Sequence, residues 1–439
     1  MIYLDYAASS PVLPEASAAA LRFMTEEYAN PSSIHQAAEK SREVIGRCRR
    51  KIAEMLGCRP EEIIFTSGGT ESNNLAIFGA GNGKIRHIIT AAIEHESVLR
   101  AAKAWKNAAP GRKLVILEPD RFGRISAESV EAAISEALSF RASEASRGTS
   151  PDLSFRASGA SRGIPSGNDT PSPSEILVSV MTANNELGTV EPIRELGAVC
   201  KKYGVLFHTD AVQAFAHIPL SVRECGIDYL SASGHKFGAP KGVGFLYAGK
   251  AAGLQPLLYG GGQERGQRSG TLNTPGIAGM LAALEYCSEH MASSAKRISA
   301  LRDAFLREVL EALPDTVVNS PLFESPQSGS AAKSTEKSGP PALSCCLPGH
   351  LNLSFPGVEA ESLLIHLDLY GIAASAGSAC ASGSLEPSHV LMALPGMTEE
   401  RANGSLRFSF GEFTREEECS YAARKLIESV KKLRMLRYG

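Results

Sequence analysis

Residues 204–213 read GVLFHTDAVQ, an apolar run that ends in an acidic residue and a short polar turn. Apolar runs of this kind recur between about residues 40 and 250, and stretches with a helical pattern separate them. Strands that alternate with helices predict βα units, in which helices cover both faces of a mostly parallel sheet. The alternation therefore predicts an α/β fold. The other runs are EEIIFTSG, RHIITAAIEH, KLVILEP, EILVSVMTAN and GVGFLYAG.

The composition is that of an ordinary soluble globular protein, with 43% apolar and 21% charged residues. A chain of 439 residues exceeds the length at which one hydrophobic core stops growing, so two domains are expected. The 45 basic and 47 acidic residues leave a net charge of -2, which provides no basic surface for nucleic acid. No run is long and apolar enough to cross a bilayer, and the first residues lack the pattern of a signal peptide. We expect a cytoplasmic protein that binds neither nucleic acid nor membrane.

Nine cysteines are scattered along the chain without CxxC pairs. An odd number without paired spacing argues against both a disulfide framework and a zinc site. No metal is therefore expected, and most of the cysteines are expected to be reduced and buried.

The pattern changes beyond about residue 265, where a long helical stretch precedes the strand patterns LNLSF and RFSFG and a last helix rich in Lys and Arg. We expect a large α/β domain from residues 16–262 and a smaller α+β domain from residues 1–15 and 263–439.

Two polar stretches, residues 138–173 and 324–342, interrupt these patterns. The first contains a tandem duplication, LSFRASEASRG followed by LSFRASGASRG. Because neither stretch has helical or strand periodicity, both are predicted to be weakly ordered surface insertions without a catalytic role.

Polar side chains follow two of the apolar runs. Asp210 ends one run, which places a carboxylate at the carboxyl edge of the sheet, where ligands of open α/β folds bind. A helix N-cap is the alternative role for an acid in this position. The next run, IDYLSAS, leads to Ser233, His235 and Lys236, within SASGHKFGAPKGVG at 231–244. An ordinary surface turn is the alternative for that lysine.

A third run ends in FTSGGTESNN at 65–74, where Gly68 and Gly69 form a turn and a helix begins at Thr70. Free N–H groups at the start of a helix, with glycines that allow close approach, form a phosphate cradle. A phosphate anchor, a strand-end carboxylate and a lysine amine are the groups that a pyridoxal phosphate enzyme requires. The carboxylate keeps the pyridine nitrogen protonated, and the amine bonds the aldehyde.

Ten segments between residues 4 and 414 together resemble the cysteine desulfurases, pyridoxal 5'-phosphate enzymes of the class V aminotransferase fold, which is aminotransferase fold type I. The resemblance implies a large domain built on a mostly parallel sheet of the seven-stranded type and a smaller α+β C-terminal domain. It covers nearly the whole chain apart from the two insertions. In order, the segments are LDYAASSPV, NPSSIH, TSGGTESNN, IEHESV, NNELGTVEPI, HTDAVQ, SGHKFGAPKGVG, GGGQERGQRSGT, SAGSACASGSLEPSHVL and SLRFSFGEFT.

The resemblance implies roles for residues around the cofactor ring. Lys236 would bond pyridoxal phosphate covalently, and Asp210 would pair with the pyridine nitrogen. Gln213 would bond the phenolic oxygen. His95 would stack on the ring and assist proton transfer, although a histidine at a strand end is more often structural.

Further residues match the family's phosphate ligands. Gly69 and Thr70 belong to the predicted cradle, and Ser233 and His235 match side-chain ligands. Thr271 matches the ligand that the family supplies from the neighbouring subunit, so the resemblance implies a homodimer with shared sites.

Asn185 and Arg407 match the pair that holds the substrate carboxylate, and a guanidinium suits this task because it binds a carboxylate with two hydrogen bonds. Cys380 lies among small residues in SAGSACASGS, a loop expected to be mobile. The resemblance implies conversion of L-cysteine to L-alanine, with a persulfide on Cys380. The pattern around this cysteine is similar to the long-loop branch associated with iron–sulfur cluster assembly and tRNA thiolation, so a sulfur acceptor or iron–sulfur scaffold is an expected partner.

Other activities stay open at this point. A class V aminotransferase or a C–S lyase would use the same cofactor without a role for Cys380, and a selenocysteine lyase is chemically close. A non-catalytic scaffold that binds sulfur-transfer partners is an alternative from another class.

The chain departs from the family pattern in two places. Ala239 replaces a usual glycine after the lysine motif, which is tolerable where the backbone is not left-handed. Cys345 and Cys346 have no counterpart, and we interpret them as small apolar residues that lead into a strand.

Overall fold

The computed structural model describes residues 1–145, 171–322, 345–377 and 387–438. Within these residues the chain forms eleven α-helices and twelve strands. The helices are α1 (Pro14–Thr25), α2 (Glu39–Leu56), α3 (Gly69–Gly79), α4 (Glu96–Asn107), α5 (Ala127–Ala145), α6 (Ile193–Tyr203), α7 (Thr274–Ala312), α8 (Ala360–Leu369), α9 (His389–Met392), α10 (Glu399–Asn403) and α11 (Glu416–Tyr438). The strands are β1 (Ile2–Tyr3), β2 (Ile63–Thr66), β3 (His87–Ala91), β4 (Lys113–Leu117), β5 (Ile176–Ser179), β6 (Leu206–Asp210), β7 (Tyr229–Ser233), β8 (Gly244–Ala248), β9 (Val317–Val318), β10 (His350–Ser354), β11 (Ile372–Ala373) and β12 (Ser405–Ser409).

A seven-stranded sheet forms the centre of the fold, in the order β2-β8-β7-β6-β5-β3-β4. All neighbouring strands are parallel except β8, which runs antiparallel to β2 and β7. Every residue of β5 and β7 is buried, as expected for strands covered on both faces. The α/β fold and the mostly parallel sheet predicted from the sequence are confirmed.

The strand register brings the predicted chemical groups to one edge of this sheet. The carboxyl ends of the parallel strands meet there, and Gly244 of β8 pairs with both Thr66 and Ser233. A Cβ atom on Gly244 would lie 2.7 Å from the Cα atom of Gly68, so only glycine lets the turn after β2 approach the start of β8 this closely. The turn after β2 and the turn after β7 therefore lie side by side.

Helix α7 connects the two largest parts of the core. Its first half is buried against the apolar residues of the large sheet and its helices, at Ile277 and Leu284 for example. Its second half contributes Phe305 and Val309 to a separate apolar cluster of the C-terminal region. The helix begins with an N-cap, because the side chain of Asn273 accepts a hydrogen bond from the N–H of Gly276 at 3.0 Å.

Two small sheets complete the C-terminal region. Strands β9, β10 and β12 form an antiparallel sheet in the order β12-β10-β9, and β1 from the start of the chain pairs in parallel with β11. Helices α8 and α11 pack together beside these strands. The smaller domain is thus of the α+β type, and β1 from the start of the chain pairs with one of its strands.

One sequence prediction is wrong in its boundary. Residues 138–145, the start of the first polar stretch, are the last two turns of α5 and are helical. Ala, Leu, Glu and Arg in this segment favour helix, and extending a helix that has already formed costs little. Residues 146–170 and 323–344 lie outside the described residues, so most of both predicted insertions stays untested.

The two departures from the family pattern are structurally benign. Ala239 is fully buried and is not among the residues with positive φ. Cys345 accepts a backbone hydrogen bond from Val190, and Cys346 forms an isolated antiparallel bridge with Thr189. Burial raises the pKa of the Cys346 thiol to about 12, so this cysteine is a protonated, small apolar side chain.

In the part of the chain that the structure describes, no helix has the length and apolar character that a membrane span requires.

Candidate active site

An open cleft of about 950 Å³ lies at the carboxyl edge of the large sheet. The cleft is lined by residues from the turns after β2, β3, β5, β6 and β7, together with residues from the start of the chain and from β12. Ten of the predicted site residues lie in it: Gly69, Thr70, His95, Asn185, Asp210, Gln213, Ser233, His235, Lys236 and Arg407.

Asp210 is the last residue of β6 and is almost fully buried. Its carboxylate accepts hydrogen bonds from the side-chain amide of Asn73 at 2.6 Å and from the N–H of Val212 at 2.9 Å. Asn73 also donates to the hydroxyl of Ser97 at 2.8 Å, which fixes the orientation of the amide. The carboxylate is thus rigidly held and can pair with a protonated ring nitrogen.

The turn between β2 and α3 has the shape of an anion cradle. Helix α3 begins at Gly69, after Gly68 with a φ of 151° that non-glycine residues rarely adopt. A Cβ on Gly69 would lie 2.7 Å from the Cγ2 atom of Val212, so a side chain would fill the space above the helix start. The hydroxyl-bearing Thr70 and Ser233 line the same part of the cleft. Unpaired N–H groups and the positive end of the helix dipole favour a phosphate here.

The amine of Lys236 lies in the cleft and donates to the backbone carbonyls of Ala7 at 2.6 Å and Ala8 at 3.0 Å. Gln213 donates to the same Ala7 carbonyl at 2.9 Å. The backbone of Lys236 is also held, since its carbonyl accepts from the hydroxyl of Ser10 at 2.6 Å. The start of the chain therefore closes one side of the cleft around the lysine.

Two histidines of the cleft have defined hydrogen-bonding roles. His95 is the N-cap of α4, and its Nδ1 accepts from the N–H of Ser97 at 3.1 Å. In the neutral ring the proton is then on Nε2. Burial, together with the charges of Lys236 and Lys241, lowers the pKa of His235 to about 4. His235 is therefore a neutral hydrogen-bonding group at pH 7.

Arg407 reaches the cleft from β12 of the smaller domain and is 1% exposed. It forms an ion pair with Asp5 at 2.7 Å and donates to the backbone carbonyl of Asn185 at 3.0 Å. The Nε atom of Arg407 and the Oδ1 atom of Asn185 are both buried without a hydrogen-bond partner. Unpaired buried polar atoms are costly, and a bound carboxylate and amine offer the partners that these atoms need.

Sequence analysis missed several polar residues of this region. Asp5, Asn73, Glu186 and His389 line or contact the cleft, and Glu94 is buried beneath it. The signal that could have found the two glutamates is their place inside the family-like segments IEHESV and NNELGTVEPI.

The two glutamates are held in different ways. Glu94 is fully buried and accepts one hydrogen bond, from the N–H of Met181 at 2.7 Å. Burial raises the pKa of Glu94 well above its ordinary value, with the charge of Asp210 acting in the same direction, so the fold favours the neutral form of this acid. Burial also raises the pKa of Glu186, against the opposing effects of the Ser388 hydroxyl and the Arg407 charge.

The other two predicted site residues are not among these ten. Thr271 is exposed and does not line the cleft of its own chain. Cys380 lies outside the described residues.

Comparison with known proteins agrees with this geometry. The family model for aminotransferase class-V matches residues 2–153, 168–338 and 330–421. The curated cysteine desulfurase IscS of Dictyoglomus turgidum is 40% identical over 438 residues, which cover 99% of this chain and 96% of that protein. A solved NifS-like protein superposes with a TM-score of 0.77 at 31% identity, covering 98% of this chain and 99% of that one. SspA in complex with cysteine superposes with a TM-score of 0.71 at 33% identity, covering 94% of this chain and 100% of that one. The chain therefore belongs to the class-V aminotransferase family and, within it, to the cysteine desulfurases.

Proposed function

We propose that this chain is a pyridoxal 5'-phosphate-dependent cysteine desulfurase, which converts L-cysteine to L-alanine and transfers the sulfur to Cys380 as a persulfide. The observation that carries the proposal is the meeting of the Lys236 amine, the Asp210 carboxylate and the start of α3 in one cleft. A related solved protein is described in complex with cysteine, which supports the choice of substrate.

The donor set of the cleft fits the cofactor. The Gly69–Thr70 turn, Ser233 and His235 would hold the phosphate, Asp210 would pair with the ring nitrogen, and Lys236 would bond the aldehyde. When bound, the pyridoxal ring supplies a sink for the electrons that remain after a proton leaves the substrate α-carbon.

The residues of this chain then have distinct tasks. The guanidinium of Arg407 and the amide of Asn185 hold the substrate carboxylate, the former with two hydrogen bonds. The amine of Lys236 would remove the α-proton of the substrate, and His95 would assist proton transfer.

The thiolate of Cys380 attacks the sulfur of the substrate. A new S–S bond forms as the C–S bond breaks, the electron pair of the broken bond stays with the carbon skeleton, and alanine leaves after protonation. The attack requires a thiolate, because a protonated thiol is a weak nucleophile.

We also propose a homodimer in which Thr271 completes the phosphate site of the neighbouring subunit. Its exposure supports this role, and the preceding loop is anchored to α3 because Arg268 binds Glu71 with two hydrogen bonds, at 2.7 Å and 3.1 Å. The cytoplasmic location and the sulfur acceptor or iron–sulfur scaffold partner stay predictions from the sequence. So does the division into a large domain of residues 16–262 and a smaller one of residues 1–15 and 263–439.

One experiment tests the proposed function. Purified protein loaded with pyridoxal phosphate is incubated with L-cysteine and without a keto acid, and the products and the Cys380 peptide are identified by mass spectrometry. We expect alanine and a persulfide on that peptide. Cys380→Ser should still show an absorbance change with cysteine but should release almost no alanine, because a serine hydroxyl cannot replace a thiolate at neutral pH.

The other activities give different results in the same experiment. Alanine formed by Cys380→Ser at the wild-type rate would contradict the sulfur-transfer role and favour a C–S lyase, and a strict requirement for a keto acid would indicate an aminotransferase. Much faster turnover of selenocysteine would indicate a selenocysteine lyase, and a colourless protein that does not bind the cofactor would indicate a scaffold.

A further inference from the structure

The carboxylate of Glu186 lies where the chain enters and leaves residues 378–386, the segment that contains Cys380. On one side, the hydroxyl of Ser388 donates to Oε2 of Glu186 at 2.5 Å. On the other side, a Cβ atom on Gly377 would lie 2.8 Å from the same Oε2 and 3.3 Å from the Cβ atom of Ser388. The two ends of the segment therefore meet over one buried carboxylate.

The first of these ends is attached to the residues that would hold the substrate. Ser375 pairs with Arg407 through two backbone hydrogen bonds, at 2.6 Å and 3.1 Å. The hydroxyl of Ser375 also donates to the carbonyl of Gly377 at 3.1 Å. Glu186 follows Asn185, whose carbonyl accepts from the Arg407 side chain. The same hydrogen bonds therefore connect the start of the segment with the predicted site of the substrate carboxylate.

The second end is attached to the floor of the cleft. Ser388 is the N-cap of α9, since its hydroxyl accepts from the N–H of Leu391 at 3.2 Å while it donates to Glu186. The next residue, His389, donates through Nε2 to the backbone carbonyl of Glu94 at 2.9 Å. Of these contacts, the bond to Glu186 is the one that ties the second end to the first.

We infer that Glu186 is a positioning residue for sulfur transfer, which holds together the two ends of the Cys380 segment beside the substrate site. Cys380 is three residues beyond Gly377, and three residues of extended chain span at most about 11 Å. Gly377 is the point from which this segment starts, so a shift of Gly377 shifts the attachment of the segment, and a shift of about 1 Å in a reacting group can reduce a rate about 100-fold. The inference rests on the proposed function, because it concerns transfer from substrate to Cys380.

The test compares Glu186→Ala, Glu186→Gln and Ser388→Ala in the enzyme loaded with pyridoxal phosphate. Two quantities are measured after mixing with L-cysteine: the absorbance change of the cofactor at several cysteine concentrations, and the single-turnover rate at which persulfide appears on the Cys380 peptide. Two control variants reproduce the other consequences of these substitutions, which are the loss of a helix N-cap and the replacement of a buried glutamate. Thr398→Ala removes the equivalent N-cap of α10, and Glu191→Gln replaces another buried glutamate, which contacts the N–H of Ile125 outside the cleft.

We expect Glu186→Ala and Ser388→Ala to slow persulfide formation about 10-fold or more, with the cysteine dependence of the absorbance change unaltered. A variant that combines Glu186→Ala with Ser388→Ala should be no slower than the slower of the two single variants. The reason is that each substitution removes the same contact between Glu186 and Ser388. Glu186→Gln should keep most of the rate, since its amide oxygen still accepts from Ser388. Both control variants should keep the wild-type rate.

Three results would overturn the inference. The first is persulfide formation at the wild-type rate in Ser388→Ala, which can be measured even if Glu186→Ala does not fold. The second is an absorbance change in Glu186→Ala that requires higher cysteine concentrations than in the wild type, which would make Glu186 part of the substrate site. The third is a Thr398→Ala variant whose rate of persulfide formation falls as much as that of Ser388→Ala. Failure of the proposed function is distinct, because the wild-type protein itself would then form no persulfide.

Discussion

Two halves of the cleft are built in different ways. The cofactor half, formed by the turns that contain Gly69, Asp210 and Lys236, comes from the strand ends of one sheet, and the carbonyl of Ala7 near the start of the chain accepts from its lysine. The substrate half, formed by Asn185 and Arg407, joins the large sheet to the smaller domain. Its ion pair connects Arg407 with Asp5, 402 residues away in the chain.

The charged groups of the two halves also differ in how they are paired. Both oxygens of Asp210 accept hydrogen bonds, whereas Nε of Arg407 and Oδ1 of Asn185 have no partner. Two hydrogen bonds orient the Asp210 carboxylate before the cofactor binds and leave lone pairs for a ring nitrogen, and unpaired groups are suited to a ligand that arrives and leaves in each turnover. We therefore expect substitutions in the two halves to affect different steps of the reaction.

The largest effect is expected from Lys236→Ala in the cofactor half. The substitution removes the amine that bonds the aldehyde and moves the α-proton, so turnover should fall by more than about 10⁴-fold, on the scale seen when a covalent nucleophile is removed. We would measure the yellow absorbance of the loaded enzyme and the formation of alanine, and both should be lost. Borohydride reduction of wild-type enzyme followed by peptide mapping should label Lys236, and a label on another lysine would refute this assignment.

A smaller effect, on a different step, is expected from Arg407→Lys in the substrate half. A single ammonium cannot form the two parallel hydrogen bonds of a guanidinium, so KM for cysteine should rise roughly 10- to 100-fold. The absorbance of the cofactor without substrate should stay as in the wild type, because Arg407 is assigned no contact with it. An altered absorbance before cysteine is added would show that the two halves are not separable.

A buried neutral histidine lies in a strand that supports each half, because β6 contains His208 and Asp210, and β10, which contains His350, pairs with the strand of Arg407. Acid should therefore lower the stability of both regions. Burial lowers the pKa of His208 to about 3 and that of His350 well below its ordinary value. Each ring stays neutral in the folded protein, whereas in the unfolded chain it gains a proton below about pH 6.5, so each contributes a loss of stability as pH falls below that value.

Replacing either histidine should reduce this acid sensitivity. For His208→Asn or His350→Asn, the free energy of unfolding should decline less steeply between pH 6.5 and 4.5 than in the wild type, by up to about 1.4 kcal/mol per pH unit. Urea unfolding at several pH values measures the slopes. Buried acids such as Glu94 act in the opposite direction, so the difference between variant and wild type is the test. Parallel slopes would show that these rings are protonated in the folded state.

The smallest effect is expected outside both halves. Replacing residues 146–170 by a short Gly-Ser linker keeps α5 and the turn that begins at Ser172, and no residue of this stretch belongs to a predicted site. The sequence predicts that this stretch is a polar surface insertion, and such an insertion contributes little core burial, so cysteine turnover should stay within about twofold of the wild type. A folded but inactive variant would show that the stretch contacts the cleft or a partner.

Much of the cofactor half could be predicted from the sequence. Asp210, Ser233 and Lys236 lie at or just after the ends of apolar runs that predict buried strands, and the carboxyl ends of parallel strands share one edge of a sheet. The helical end of α5 was missed because its residues repeat in a polar stretch, which concealed their helix propensity.

By itself the sequence determined the alternation of strands and helices, the turns at the strand ends and the kinds of group placed there, because these depend on residues close together in the chain. Only the tertiary structure decided that Asp5 pairs with Arg407, that Ala7 accepts from Lys236, and that Glu186 lies between Gly377 and Ser388. The physical reason is that these contacts join segments hundreds of residues apart, and packing of the two apolar clusters along α7 brings those segments together.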